Sequence, residues 1–131
     1  MVFQENKKNK NKERQGRQSW RKGLLAEYLA LIFLKIKGYK ILGRRLKTPV
    51  GEIDILCQKN KTLIVVEVKY RSTIEAAAHS ISRRQMERLS KTVQWIMGSK
   101  YSMMKIRFDV LFITPYKIPK HLKNVWSQLK Y

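Results

Sequence analysis

The sequence predicts a mixed α/β domain, a sheet covered by helices, and three observations carry that expectation. Apolar residues recur at helical spacing in two stretches, near residues 20–37 and 82–98. Strand-forming residues cluster between them in "GEIDILCQKNKTLIVVEVKYR" (51–71) and return in "KIRFDVLFI" (105–113). The resulting order, helix, three strands, helix, strand, interleaves both element types in a chain of 131 residues, enough for one domain with a small core.

Each element carries its own signals. Ser19 can cap a helix that starts at Trp20, and Gly38 supplies the permissive residue past its end. "YKILGRRLK" reads as an irregular strand, and "TPVG" turns the chain. Two strands follow, about 52–58 and 62–70, joined through "KNK" as a hairpin. From Ser82 onward Met86, Leu89, Val93 and Ile96 or Met97 recur at helical spacing, and Gly98 closes the helix. Ile106, Phe108, Val110 and Phe112 then share one face of a largely buried strand; Pro115 and Pro119 end it, and "HLKNVWSQL" can form a last short helix.

Composition narrows the function classes. The 29 Lys and Arg against nine Asp and Glu give a net charge of +20, which implies a polyanionic partner, because cationic side chains neutralise phosphates and release counterions. Residues 1–22 hold eight of the basic residues and two Glu, so the rest of the chain still carries +14. The opening 1–18, rich in Lys, Asn and Gln, reads as a flexible basic arm ahead of one domain at 19–131. Its lack of an apolar run argues against a secretory signal, so the cytoplasm is the expected location, and Glu27, Lys35 and Lys37 interrupt the best membrane-span candidate. The lone Cys57 forms no internal disulfide, and two separated histidines do not make a zinc site. Any metal would need carboxylates.

Three of the nine acidic residues, Glu52, Asp54 and Glu67, lie in the 51–71 hairpin. Alternation puts Glu52 and Asp54 on one face and Ile53, Ile55 and Cys57 on the other, while Glu67 and Lys69 share a face with Leu63 and Val65. A two-residue turn at Asn60 and Lys61 then sets Asp54 opposite Glu67 and Glu52 opposite Lys69, with directly opposed Cβ atoms about 5 Å apart. Two opposed carboxylates destabilise a sheet unless they share a cation or a proton. A divalent ion bound by hard oxygens answers that need, and it can polarise a phosphodiester and acidify bound water. The alternative is a solvated hairpin face with a surface ion pair between Glu52 and Lys69. The apolar Leu56, Leu63 and Val65 on that face speak against it.

An Asp, a hairpin gap, then Glu-x-Lys resembles the PD-(D/E)XK nuclease signature of restriction-endonuclease-like and Holliday-junction-resolvase-like proteins. More closely, "GLLAEYLALIFLKIKGYKIL", "GEIDIL", "LIVVEVKYR", "RRQMERL" and "RFDV" resemble the bacterial YraN-like family of predicted endonucleases (UPF0102), over about Gly23 to Trp126. The resemblance implies a restriction-endonuclease-like core and a Mg²⁺- or Mn²⁺-dependent endonuclease that hydrolyses phosphodiester bonds, with branched or structured DNA, or RNA, as substrate. It implies that Asp54 and Glu67 hold the metal, that Val68 lends its carbonyl, and that Lys69 is catalytic. Glu27, on the apolar stripe Leu24, Leu31 and Leu34, matches the first-helix carboxylate that related nucleases bring to the metal; otherwise it reaches toward a cation at the stripe's edge.

Gln85 matches a polar residue that follows the motif in such nucleases, and it also fits an S-x-x-Q capping box with Ser82. Arg71, Arg83 and Arg84 are phosphate candidates. Arg45 and Lys47 join them, at positions where the family reads Asn-x-Arg. Asp109 is expected to be structural, pairing with Arg107 or another basic neighbour. By analogy with resolvase-like proteins the chain forms a homodimer. The other function class is a non-catalytic nucleic-acid-binding module that retains the nuclease-like fold.

Overall fold

The computed structural model describes residues 23–73, 82–98 and 104–125. Helix α1 spans residues 23–36. Its end is a Schellman motif: Gly38 adopts φ 88°, its N–H donates to the Lys35 carbonyl, and the Tyr39 N–H donates to the Leu34 carbonyl at 3.0 Å. Tyr39 and Leu34, which flank that cap, are buried in one cluster. The chain therefore leaves α1 in a fixed direction, into strand β1 (Lys40–Thr48).

Strands β2 (Gly51–Lys59) and β3 (Thr62–Tyr70) follow, then helix α2 (Arg83–Met97), strand β4 (Lys105–Ile113) and a short strand β5 (Lys120–Leu122). The five strands form one sheet in chain order; β3 and β4 are parallel, with α2 as the crossover, and the other neighbours are antiparallel. This is the mixed α/β sheet expected, consistent with a restriction-endonuclease-like core. Strand β5 corrects the start of the expected last helix: His121 and Leu122 pair with Leu111 and Val110 of β4, Val125 is helical, and 126–129 lie outside the described residues. The expected arm at 1–18 lies outside the described residues.

Two apolar layers hold the helices to the sheet. Ala26, Ala30, Leu31 and Leu34 of α1 pack on Ile55, Cys57, Ile64, Val66, Leu111 and Ile113. On the opposite face Leu89 and Ile96 of α2 pack on Ile53, Leu56, Leu63, Val65 and Phe108. Burying each large apolar side chain contributes about 1.5–3 kcal/mol, so both layers are needed to hold a sheet buried on two sides.

The alternation expected along β2 holds only in part. Ile55 and Cys57 face α1, but Ile53 faces α2, so the pleat slips by one residue at Asp54. Strand β1 slips beside it: Arg45, between the Arg44↔Ile55 and Leu46↔Ile53 pairs, adopts φ 48°. A bulge between Ile41 and Gly43 adds to the irregularity of β1.

Candidate active site

Local chain chemistry opens the sheet at one point. The turn at Asn60 and Lys61, with Asn60 at φ 55°, fixes the β2–β3 register from Lys59↔Thr62 to Ile55↔Val66. There the ladder stops. At the next position the Asp54 Oδ2 accepts the Val68 N–H at 2.9 Å, so a side-chain carboxylate replaces a strand carbonyl. Within a strand the N–H and C=O of one residue point to the same edge. The Val68 carbonyl thus faces the Asp54 side of the opening.

The same register, extended by one residue, brings Asp54 level with Glu67. Burial first, then the Glu67 charge, push the Asp54 carboxyl up to about 6, against the bond from Val68 N–H; the Glu27 charge pushes it further and Lys69 opposes. Glu67 is mostly buried and has Lys69 Nζ at 3.6 Å and Arg88 Nη2 at 4.0 Å. Lys69 is itself buried. The structure thus brings Asp54, Glu67 and Lys69 together. It does not pair Glu52 with Lys69: Glu52 is exposed, level with Lys47 of β1.

Glu27 comes to this end from the first turns of α1. Its Oε2 accepts Arg45 Nε at 2.7 Å, while its Oε1 is buried without a hydrogen-bond partner among the described residues. Glu27, Glu52, Asp54 and Val68 line a cavity of about 290 Å³ with Gly23, Leu24, Ala26, Arg45 and Tyr70. A neighbouring cavity of about 480 Å³ shares Leu24, Glu27 and Arg45 and adds Arg44. The smaller cavity reaches the point where the ladder has parted.

The other expected residues are placed as follows. Gln85 sits in the capping box: its N–H donates to Ser82 Oγ and its Oε1 accepts the Ser82 N–H, both at 3.2 Å. The structure gives Gln85 its capping reading. Arg83 and Arg84 are exposed in the first turn of α2, which carries no acidic residue. Arg71 donates to the Tyr70 carbonyl at 2.7 Å, and Lys47 is exposed on β1. Arg45, a phosphate candidate from the sequence, is held on Glu27. Burial, then Asp109, pushes the Cys57 thiol up to about 12, which keeps it a protonated core group and not a nucleophile.

Arg88 escaped the sequence reading. Its stem lies 3.3 Å from where a Cβ on Gly51 would stand, with Gly51 at φ 153°. The glycine of "GEID" therefore makes room for the arginine that reaches Glu67, and a Gly beside an acidic strand was the one available signal. Asp109 pairs with Arg107 as expected, through two bonds of 2.9 and 2.7 Å, and also accepts His121 Nε2 at 2.7 Å and the Asn124 N–H at 3.0 Å. Burial would raise its carboxyl, but the bonds from His121, Arg107 and Asn124 prevail and hold it below the usual carboxylate range.

Among the described residues no three His, Cys, Asp or Glu side chains are grouped to hold a metal by themselves. The donor chemistry fits a smaller set. Glu27, Glu52 and Asp54 present hard-oxygen carboxylates to one cavity with the Val68 backbone, the Glu67 charge acts on Asp54, and one buried Glu27 oxygen has no hydrogen-bond partner among the described residues.

A model of a family described as "Uncharacterised protein family UPF0102" matches residues 26–113, from α1 to the end of β4 and so across the whole site. The chain belongs to the UPF0102 family. Relatives named "UPF0102 protein" include one from Parvibaculum lavamentivorans, 42% identical over 113 residues that cover 85% of each chain. One from Caulobacter vibrioides is 41% identical over 107 residues, covering 80% of this chain and 86% of the relative. A third, from Nitrobacter winogradskyi, is 40% identical over 107 residues, covering 80% and 91%. The UPF0102 match ends at Ile113, so β5 lies beyond it. No described helix is long and apolar enough to cross a membrane.

Proposed function

We propose that this UPF0102 protein is a cytoplasmic metal-dependent endonuclease that hydrolyses phosphodiester bonds, with branched or structured DNA as the first substrate class to try. The observation that carries the reading is the parted β2–β3 ladder, where Asp54 and Glu67 meet beside a buried Lys69 in a chain of charge +20. Asp54, Glu67 and the Val68 carbonyl, with Glu27 beside them, would hold Mg²⁺ or Mn²⁺. Such an ion polarises a phosphodiester and lowers the pKa of a bound water.

The chain's own groups do the rest. Lys69, fixed near Glu67, is placed to steady negative charge that develops on a phosphate. Arg88 balances Glu67 from α2. Arg83 and Arg84 stand at a helix N-terminus, where cations oppose the helix dipole and a phosphate would relieve both. Arg71 and Lys47 flank the opening as further phosphate contacts.

One observation favours the rival reading, a non-cutting binding module. Glu27 and Glu67 already have cationic partners in Arg45, Lys69 and Arg88. A single assay separates the two: duplex, single-stranded, flap and four-way DNA and RNA, with and without Mg²⁺ or Mn²⁺. An endonuclease cuts at least one substrate only with metal, and Asp54→Ala/Glu67→Ala loses at least a thousandfold in rate while it keeps most of its affinity. A wild type that binds yet cuts nothing leaves only the binding module.

A further inference from the structure

Charge is polarised along α1. Of the six acidic residues among the described ones, Glu27, Glu52, Asp54 and Glu67 gather at the opening. At the other end of α1, Lys37, Lys59 and Lys123 lie close enough that burial first, then the charges of Lys123 and Lys59, lower the Lys37 pKa. Arg107 adds a fourth cation. The one acid there, Asp109, is buried and already accepts two bonds from Arg107, one from His121 and one from Asn124, which fills its four lone-pair positions.

These cations are held in place. Lys37 Nζ lies 2.9 Å from His121 Nδ1 and 5.0 Å above the Phe33 ring. With Lys37 Nζ donating to Nδ1, the other ring nitrogen, Nε2, bonds Asp109. Lys59 Nζ donates to the Lys37 carbonyl at 3.1 Å and stands 4.7 Å over the Tyr39 ring, whose hydroxyl accepts Arg107 Nη2 at 2.9 Å. Exposed lysines on flexible stems sample many positions; ammonium groups fixed on aromatic rings are preorganised for an anion.

We infer that Lys37 and Lys59, the latter set over the Tyr39 ring that Arg107 holds, form a second phosphate-binding subsite that grips the flank of a duplex away from the reaction centre. The inference rests on the nucleic-acid reading above and gives it a footprint. Ten residues along α1 set Lys37 about 15 Å from Glu27, and five along β2 set Lys59 about 17 Å from Asp54. At 3.4 Å per phosphate on one strand, that is about four or five nucleotides.

The test is binding, read in EDTA so that cleavage plays no part. Fluorescence anisotropy with a duplex of about 20 base pairs, in DNA and RNA versions, gives affinity as a function of salt. Lys37→Gln/Lys59→Gln weakens binding at least tenfold and flattens the slope of log K against log salt by about 2, since each phosphate contact contributes about 0.9. Lys91→Gln/Lys117→Gln, which removes equal charge elsewhere, changes the slope by less than half as much, and Lys37→Arg/Lys59→Arg restores it at unchanged melting temperature. Equal losses from both Gln pairs would falsify the subsite and leave diffuse charge. Loss of cutting with this difference intact would count against the nuclease reading alone, and the DNA and RNA arms show which duplex the subsite prefers.

Discussion

Asp54 is the residue on which folding and the proposed chemistry pull in opposite directions. Its carboxyl is pushed up to about 6 in the fold, above its unfolded value, so its ionised form opposes folding. Between pH about 4 and 6 the native state binds more protons than the unfolded chain, and the Asp54 contribution to stability falls as pH rises through that window. In EDTA, Asp54→Asn keeps an oxygen for the Val68 N–H and removes this penalty. The variant melts higher than wild type at pH 7, by at most about 3 kcal/mol in unfolding free energy, and the two converge at pH 4. Urea titrations at the two pH values check it, and a variant that is less stable at pH 7 would sink the argument. That Asp54 stands level with Glu67 was legible because a two-residue turn fixes the β2–β3 register by a local rule. Arg88 was not, because its reach to Glu67 depends on how α2 docks over Gly51, which no local pattern encodes.

Elements show the same division between local and tertiary causes. The Ser82 and Gln85 cap was readable from four letters, and both of its reciprocal bonds form. Gln85→Ala should therefore lower stability by about 1 kcal/mol and leave the cleavage rate within threefold; a hundredfold rate loss without a change in melting would return Gln85 to the chemistry. At β5 the pairing of Lys120–Leu122 with β4 decides against the helix expected from "HLKNVWSQL". The slip in β1 and β2 was hidden for another reason. An Arg at φ 48° is an uncommon backbone state with no sequence mark, held here by the bond from Arg45 to Glu27. That slip puts Asp54 out of step with Ile53 and turns it toward α1 and Glu27, so the site depends on the feature hardest to read.

Across the whole molecule, carboxylates gather at one end of α1 and cations at the other. On the proposed function the cations set affinity for a duplex and the opening at Asp54 sets the chemistry, so the two should respond separately to salt and to truncation. If about six phosphates are engaged, raising monovalent salt from about 50 to about 200 mM lowers duplex affinity roughly a thousandfold. Removing residues 1–18, which carry six Lys or Arg and two Glu, takes away a net charge of +4 from a total of +20. The shortened chain should keep its metal dependence and its maximal cleavage rate and lose affinity by about tenfold, with a shallower salt slope. Single-turnover cleavage at saturating protein, measured beside anisotropy in EDTA, reads the two quantities independently. A fall in the maximal rate that tracks the loss of affinity would mean that the basic arm takes part in assembling the site, and that α1 and the sheet do not build it alone.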